Sequence, residues 1–187
     1  MVSANLTNAS GESSSYDFLN LYEIKTYLAI DGSSQDSMLT DMYYAVCENV
    51  EKVCNQTLKN RTVTIYFDKN HKYLELLYRP VTSITSVTKY NQTDASGEWI
   101  ENTNYYTYGL KENRTGNYVI EPATEWDSLE VVYNSDGSVV PYEIKMAVLG
   151  YMKVVYNDDR MFEATKEVPP PPVETINLLR KYMLIAI

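Results

Sequence analysis

The chain of 187 residues has room for one hydrophobic core, since domains usually hold about 100 to 150 residues, and it is expected to be one folded unit with tails. A formal charge of -9, with no block of Lys or Arg anywhere, argues against gripping nucleic acid, which needs clustered cations to neutralise phosphate. No run approaches the ~18 apolar residues of a membrane helix, and Tyr, at 18 against 3 Phe, is the residue of half-buried and shared surfaces.

The opening, MVSANLTNASGESSS, has neither a cationic segment nor an apolar run, so residues 1–19 are expected to be a disordered polar arm rather than a signal peptide. Asn20, with Glu23 three residues on, has the spacing of a reciprocal capping box and predicts a first helix in which Ile24, Tyr27 and Leu28 share a face. Asp31-Gly32 is its expected stop, because Gly tolerates the left-handed conformation at a helix end. From Asp36 the apolar side chains fall at Leu39, Met42, Tyr43, Val46, Cys47, Val50, Val53, Cys54 and Leu58, one face of a long amphipathic helix. Asp41, Tyr44, Glu48, Asn49, Glu51 and Lys52 take its other side, and this helix is the expected central strut. Cys47 and Cys54 would have Cα atoms about 10 Å apart along it, too far for a disulfide, so they read as small buried hydrophobes.

Between Arg61 and Val140 the period changes to alternation. TVTIYF puts Val63, Ile65 and Phe67 on one side of a strand and Thr62, Thr64 and Tyr66 on the other. KYLELLYRP, ITSVTKY, EWIENTNYYTY, NYVIEP and SLEVVY follow, separated by turn signals, which predicts five or six antiparallel strands joined by hairpins, with Pro80 at an edge or bend. Helical spacing returns after Pro141 with Ile144, Val148, Tyr151, Met152 and Val155, a stripe expected to pack on the long helix. Pro169 to Pro172 form a stiff extended spacer, and VETINLLRKYMLIAI predicts a last short helix through Val173, Ile176, Leu179 and Tyr182 or Met183. Residues 184–187 are apolar where a free terminus normally frays in water, so this end is expected to seek a partner.

The fold class is therefore α+β: a helical bundle frame with a long central helix, an inserted antiparallel β region and an extended carboxy-terminal tail. Its expected divisions are the arm at 1–19, a domain at 20–160 made of helices 20–60 and 141–157 around a β insertion at 61–140, and a proline spacer with a docking segment at 161–187.

No catalytic set emerges. His71 is the sole histidine and sits in a turn-like stretch, too little for a zinc site or a serine triad. Gly97, Gly109, Gly116 and Gly137 are isolated turn glycines rather than a phosphate loop, and the carboxylates of the strand region read as solvated face residues. Neither enzymatic activity nor a metal or cofactor is expected. Trp99, Tyr105, Tyr106, Tyr108, Tyr118 and Trp126 read as core and subunit interface, with a β module binding sugar or peptide as the alternative. Tyr106 and Tyr108 alternate onto one face while Tyr105 takes the other, so these rings cannot all line one groove.

Three pieces, in this order, resemble the head-tail connector (adaptor) proteins of tailed bacteriophages. YEIKTYLAIDGSSQDSMLTDMYYAVCENVEKVCNQTL is similar to the family's opening of a short helix, a hydrophobe before Asp-Gly and a long helix. LLYRPVTSITSVTKYN resembles its Arg-Pro-Val strand entry, and PYEIKMAVLGYMKVVYNDDR its late helix. The resemblance implies a structural virion protein at the head-tail neck, assembled in the bacterial host cytoplasm, whose copies form a ring matched to a twelvefold portal. Its partners would be the portal protein, other copies of itself, the next neck or tail protein, and DNA passing through a conduit without specific binding; no membrane is involved. The carboxy-terminal segment, with Leu178, Leu179, Tyr182, Met183, Leu184, Ile185 and Ile187, would dock on the portal. Tyr44, Glu48, Glu51, Tyr105, Tyr106 and Tyr108 are the subunit-interface candidates.

Overall fold

The computed structural model describes residues 2–8, 15–68, 72–90, 97–99, 101, 103–109, 114–115, 117–157 and 168–183. They contain four α-helices and two antiparallel sheets, so the chain is α+β. The chain divides into two compact units, Met1–Ser14 with Asn60–Gly137 and Ser15–Lys59 with Ser138–Ile187, where one unit with tails was expected. The reason is that the strand region closes a core of its own, with its own tryptophans, instead of borrowing the helical one.

The helical unit holds α1 (Leu21–Leu28), α2 (Asp36–Cys54), α3 (Tyr142–Asn157) and α4 (Val173–Leu179), the last continued by a 3-10 turn at Arg180–Tyr182. The capping box at the start of α1 is complete: the Glu23 N–H donates to Asn20 Oδ1 at 2.9 Å and the Asn20 N–H to Glu23 Oε2 at 2.8 Å. The helix ends earlier than Asp31-Gly32, because Ala29 itself takes the left-handed conformation (φ 57°) and its N–H reaches the carbonyls of Lys25 and Thr26. No side chain caps α2; instead Lys25 Nζ meets Asp36 Oδ1 at 2.7 Å, tying the first turn of α2 back to α1. Of the expected face of α2, Met42, Tyr43, Val46, Cys47, Val50 and Cys54 are buried in one cluster with Ile144, Ala147, Val148, Tyr151, Met152 and Val155 of α3, and Val53 packs against it. α4 buries Thr175 and Leu179, with Tyr182 beyond, at spacings of four and three; Val173, expected on that line, is exposed. Ahead of α4, the Tyr151 hydroxyl donates to the Pro169 carbonyl, and burial pushes the Tyr151 hydroxyl pKa up to about 12.

The β unit contains β1 (Val2–Asn8), β2 (Arg61–Asp68), β3 (Leu74–Glu75), β4 (Val81–Tyr90), β5 (Gly97–Glu98), β6 (Tyr105–Tyr108), β7 (Val119–Pro122) and β8 (Ser128–Ser135). A five-stranded sheet runs in the order β1-β2-β8-β4-β5 and a three-stranded one in the order β3-β7-β6. The segment expected to be a disordered arm thus contributes an edge strand, with Val2 opposite Phe67 and Asn8 opposite Arg61. The sequence of that segment alternates, Val2, Ala4 and Leu6 against Ser3, Asn5 and Thr7, and the edge of β2 offers the row of backbone donors and acceptors that it pairs with. β8 lies between β2 and β4 rather than at the end of a chain of hairpins; its side chains are strictly alternately buried, and Val63, Ile65, Phe67, Leu129, Val131 and Tyr133 form one wall of the core. KYLELLYRP yields only the two residues of β3; Tyr78, beyond it, stands at φ 60°.

Ile144 is fully buried at the meeting of α2 and α3, so Ile144→Ala is expected to destabilise the helical unit by about 2–5 kcal/mol, measurable by urea denaturation followed by circular dichroism.

Candidate functional site

Among the described residues no group of three or more His, Cys, Asp or Glu side chains is placed to hold a metal ion, and no helix is long and apolar enough to cross a membrane. His71 lies outside the described residues. Cys47 and Cys54 are buried and form no disulfide, and burial pushes the Cys47 thiol well up, away from the reactive thiolate. What the chain offers is surfaces, together with the internal bonds that hold them in place.

The most consequential internal group is Glu51. It was expected on the polar face of α2, open to a neighbouring subunit, but it is 2% exposed. Its Oε2 accepts from the Tyr16 hydroxyl at 2.8 Å and its Oε1 from the Leu58 N–H at 2.7 Å. Tyr16 also packs edge-on to Phe18 and Tyr43 and carries Lys59 Nζ 4.5 Å above its ring. Glu51 therefore binds the segments before α1 and after α2 to the helix between them and is not a subunit contact. Tyr44 and Glu48 do face solvent.

Burial likewise divides the carboxy-terminal candidates. Leu179 and Tyr182, expected to dock on a partner, are buried in the helical core, and Gln56 Nε2 donates to the Tyr182 carbonyl at 3.1 Å. Leu178 is 43% exposed and Met183 half-buried, while Leu184, Ile185 and Ile187 lie outside the described residues. Glu143 on α3 anchors the turn, accepting from Lys181 Nζ at 2.6 Å and from the Tyr182 hydroxyl at 3.1 Å. Lys181, then the Glu143 backbone and Tyr182, hold the Glu143 pKa down at about 2.

In the β unit, Trp99, Tyr105, Tyr118 and Trp126 belong to the core, so four of the six rings of a possible sugar or peptide platform are withdrawn from solvent, and Tyr105 is no subunit contact. Tyr106 and Tyr108 are exposed on the outer face of the small sheet, Tyr106 directly across from Glu121. Tyr108 hydrogen-bonds Glu121, a contact that raises its hydroxyl pKa.

The outer face of the five-stranded sheet is the polar half of the alternation in TVTIYF and SLEVVY, with Thr62, Thr64 and Tyr66 on it as expected. Four rows cross it from β2 through β8 to β4: Thr62, Asn134, Ser83; Thr64, Val132, Ser86; Tyr66, Glu130, Thr88, continued by Glu98 of β5; and Asp68, Ser128, Tyr90. Asn134 knits the first row, accepting from Thr62 Oγ1 at 3.1 Å and donating to Ser83 Oγ at 3.2 Å. Tyr66 hydrogen-bonds Glu130, and its hydroxyl pKa is raised in consequence.

A family model described as "Head completion protein" matches residues 17–168. No curated protein sequence matches the chain. Among solved structures the chain is similar to one in the neck of an empty GTA particle computed with C6 symmetry, at 12% identity and a TM-score of 0.67, covering 98% of this chain and 97% of that one. A chain from the virion of a native gene transfer agent (GTA) particle gives 12% identity and a TM-score of 0.68 over 97% and 96% of the two chains. One from the neck of a native GTA particle computed with C12 symmetry gives 12% and 0.61, with 89% of each chain covered. At this identity these likenesses establish a shared fold.

Glu51→Gln is expected to cost about 1.5–3 kcal/mol, the worth of a hydrogen bond to a charged group, and Tyr16→Phe should cost less in that background than in the wild type, a coupling that a double-mutant cycle with urea denaturation reads directly. For Glu143 the folded pKa is depressed from 4.5 to about 2, so its contribution is complete above about pH 4.5 and is lost as pH falls through about 2. Hydrogen-exchange protection factors over residues 173–183 should fall as pH drops across that window in the wild type and show no such step in Glu143→Gln.

Proposed function

The chain belongs to the head completion protein family, a structural family of phage-like virions and not of enzymes, and from that premise we propose that it forms a closed ring at the particle's neck, binding the portal and joining head to tail as a DNA conduit. The observation that carries this reading is the family match over residues 17–168, which takes in all four strands of the large sheet beyond β1 and the first three helices. The fold shared with chains of particles whose necks were computed with C6 and C12 symmetry supports a ring, and twelve copies would suit the latter. The charge of -9 supports a conduit wall, because like charge keeps passing DNA from adhering. In this reading the α2 strut and the helices on it are the frame of each wedge, and the neck of the virion is where the protein acts.

The portal contact falls to Leu178, Met183 and the residues that follow. Leu179 and Tyr182 support it from within, by fixing α4 and its turn to α3. Tyr44 and Glu48 on α2, with Tyr106 and Tyr108 on β6, are the exposed candidates for neighbours on either flank.

Mixing the protein with portal should place a ring at the portal's outer end in electron micrographs; a portal left bare at stoichiometric excess would refute the assignment. Deleting residues 184–187 should abolish portal binding while circular dichroism stays unchanged. Deleting 173–187 should also weaken the helical unit, because it removes Leu179 and Tyr182 from the core. Undiminished portal binding by the shorter deletion would remove the anchor from those four residues.

A further inference from the structure

We infer that the proline run of one copy, through its outward edge Pro170 and Val173, seats on the tyrosine face of the small sheet of the next copy; the inference rests on the ring proposed above and names the segment that each subunit offers its neighbour. The receiving face carries three exposed rings, Tyr73 just before β3 and Tyr106 and Tyr108 on β6. Glu121 of β7 lies among them: it is directly across from Tyr106, hydrogen-bonds Tyr108 and has Lys72 Nζ 3.8 Å away, while the same Nζ stands 4.9 Å from the centre of the Tyr73 ring. One carboxylate and one ammonium thus hold the rings in place before a partner arrives, which lowers the ordering cost of association.

The offered segment is equally well defined. Pro172 stands at φ -64° and ψ 158°, in the polyproline II region, and the Tyr151 hydroxyl, donating to the Pro169 carbonyl, pins the run to α3. With three residues per turn such a run places positions i and i+3 on one edge, and from Val168 to Val173 the two exposed residues are Pro170 and Val173. That edge repeats about every 9.3 Å, and β3 and β6, which flank β7, run roughly 9.5 Å apart, so one proline turn spans the rings of Tyr73 and Tyr106. A stiff polyproline segment is already ordered, which is why aromatic-lined surfaces take it. The charges agree as well: Lys72, 72% exposed at the rim of the face, is a cation for Glu174, exposed beside Val173. What selects a second copy is that within one chain the three rings, Pro170 and Val173 all stand in solvent, so neither surface covers the other there. Each copy carries one segment and one face, in different units, and a heterologous contact of that kind repeats from subunit to subunit until a ring closes.

The test joins the two surfaces in the full chain, whose own two cysteines are buried. Val119→Cys lies opposite Tyr108 on the small sheet and Glu174→Cys beside Val173, so neither removes a ring or the proline edge. With a short bis-maleimide, alone and with portal, the double variant should give a ladder of linked oligomers ending at the ring, while Val119→Cys paired with Val139→Cys, elsewhere in the helical unit, gives only a trace. Tyr73→Ala and Tyr106→Ala should each lower the ring fraction in mass photometry by about tenfold or more, the effect of a lost aromatic anchor, with circular dichroism as in the wild type. Wild-type ring abundance without a ladder would overturn the inference and leave the ring itself standing, and so would linkage confined to single chains. Tyrosine variants that keep their rings but lose portal binding would give the face to the portal and overturn it too. A wild-type chain that forms no closed assembly with or without portal would sink the ring reading and this inference together. Should the tyrosine variants fail to fold, Pro170→Ser with Val173→Ser reads the same contact from the other side by the same criteria.

Discussion

The helical unit turns on one buried carboxylate. Taking Glu51 out of water costs several kcal/mol, which is offset only because both oxygens are met, one by the Tyr16 hydroxyl and the other by the Leu58 N–H. Those two partners stand in sequence next to the places where the chain passes between its two units, Ser14/Ser15 on one side and Lys59/Asn60 on the other. Glu51 therefore ties the segments before α1 and after α2 to a single turn of α2. The aromatic packing of Tyr16, Phe18 and Tyr43 follows from that fixed entry, and the buried Gln56, held just beyond the end of α2, reaches the Tyr182 carbonyl and so fixes the last turn of the chain as well.

The regular parts of this architecture were legible in the sequence because burial imposes a period. The three-and-four spacing from Leu39 to Cys54 and from Ile144 to Val155 named the two facing helix stripes, and Asn20 with Glu23 named the capping box. What escaped was written too briefly or at too long a range. VSANLTN does alternate, Val2, Ala4 and Leu6 against Ser3, Asn5 and Thr7, but three small apolar positions ahead of a long polar run are outweighed by composition. The placement of β8 between β2 and β4 is decided by long-range pairing, to which the local alternation is blind. Glu51 looked solvated because a carboxylate is usually found in water; Leu58 and Tyr16, which hydrogen-bond it, lie seven and thirty-five residues away.

The tyrosines show the same limit at the level of function. Composition singled them out as residues of shared surfaces, yet their abundance serves two opposite ends here. Tyr16, Tyr105, Tyr118, Tyr133 and Tyr182 are core residues, whereas Tyr22, Tyr73, Tyr106, Tyr108 and Tyr142 stand in solvent. A ring that packs equally well inside or outside leaves the choice to its neighbours, and only where strands place it on a named face, as with Tyr106 and Tyr108, does sequence decide.

The pairing of β1 with β2 carries a consequence for handling the protein. β2 has an apolar-alternating sequence, TVTIYF, without Pro or Gly, the composition that stacks readily into intermolecular sheets when an edge is left bare. Val2–Asn8 covers that edge by pairing with Arg61–Phe67 along its whole length. Its role extends to solubility: a recombinant chain begun at α1, or one whose leader is displaced by a fused tag, would present β2 itself as a template for aggregation.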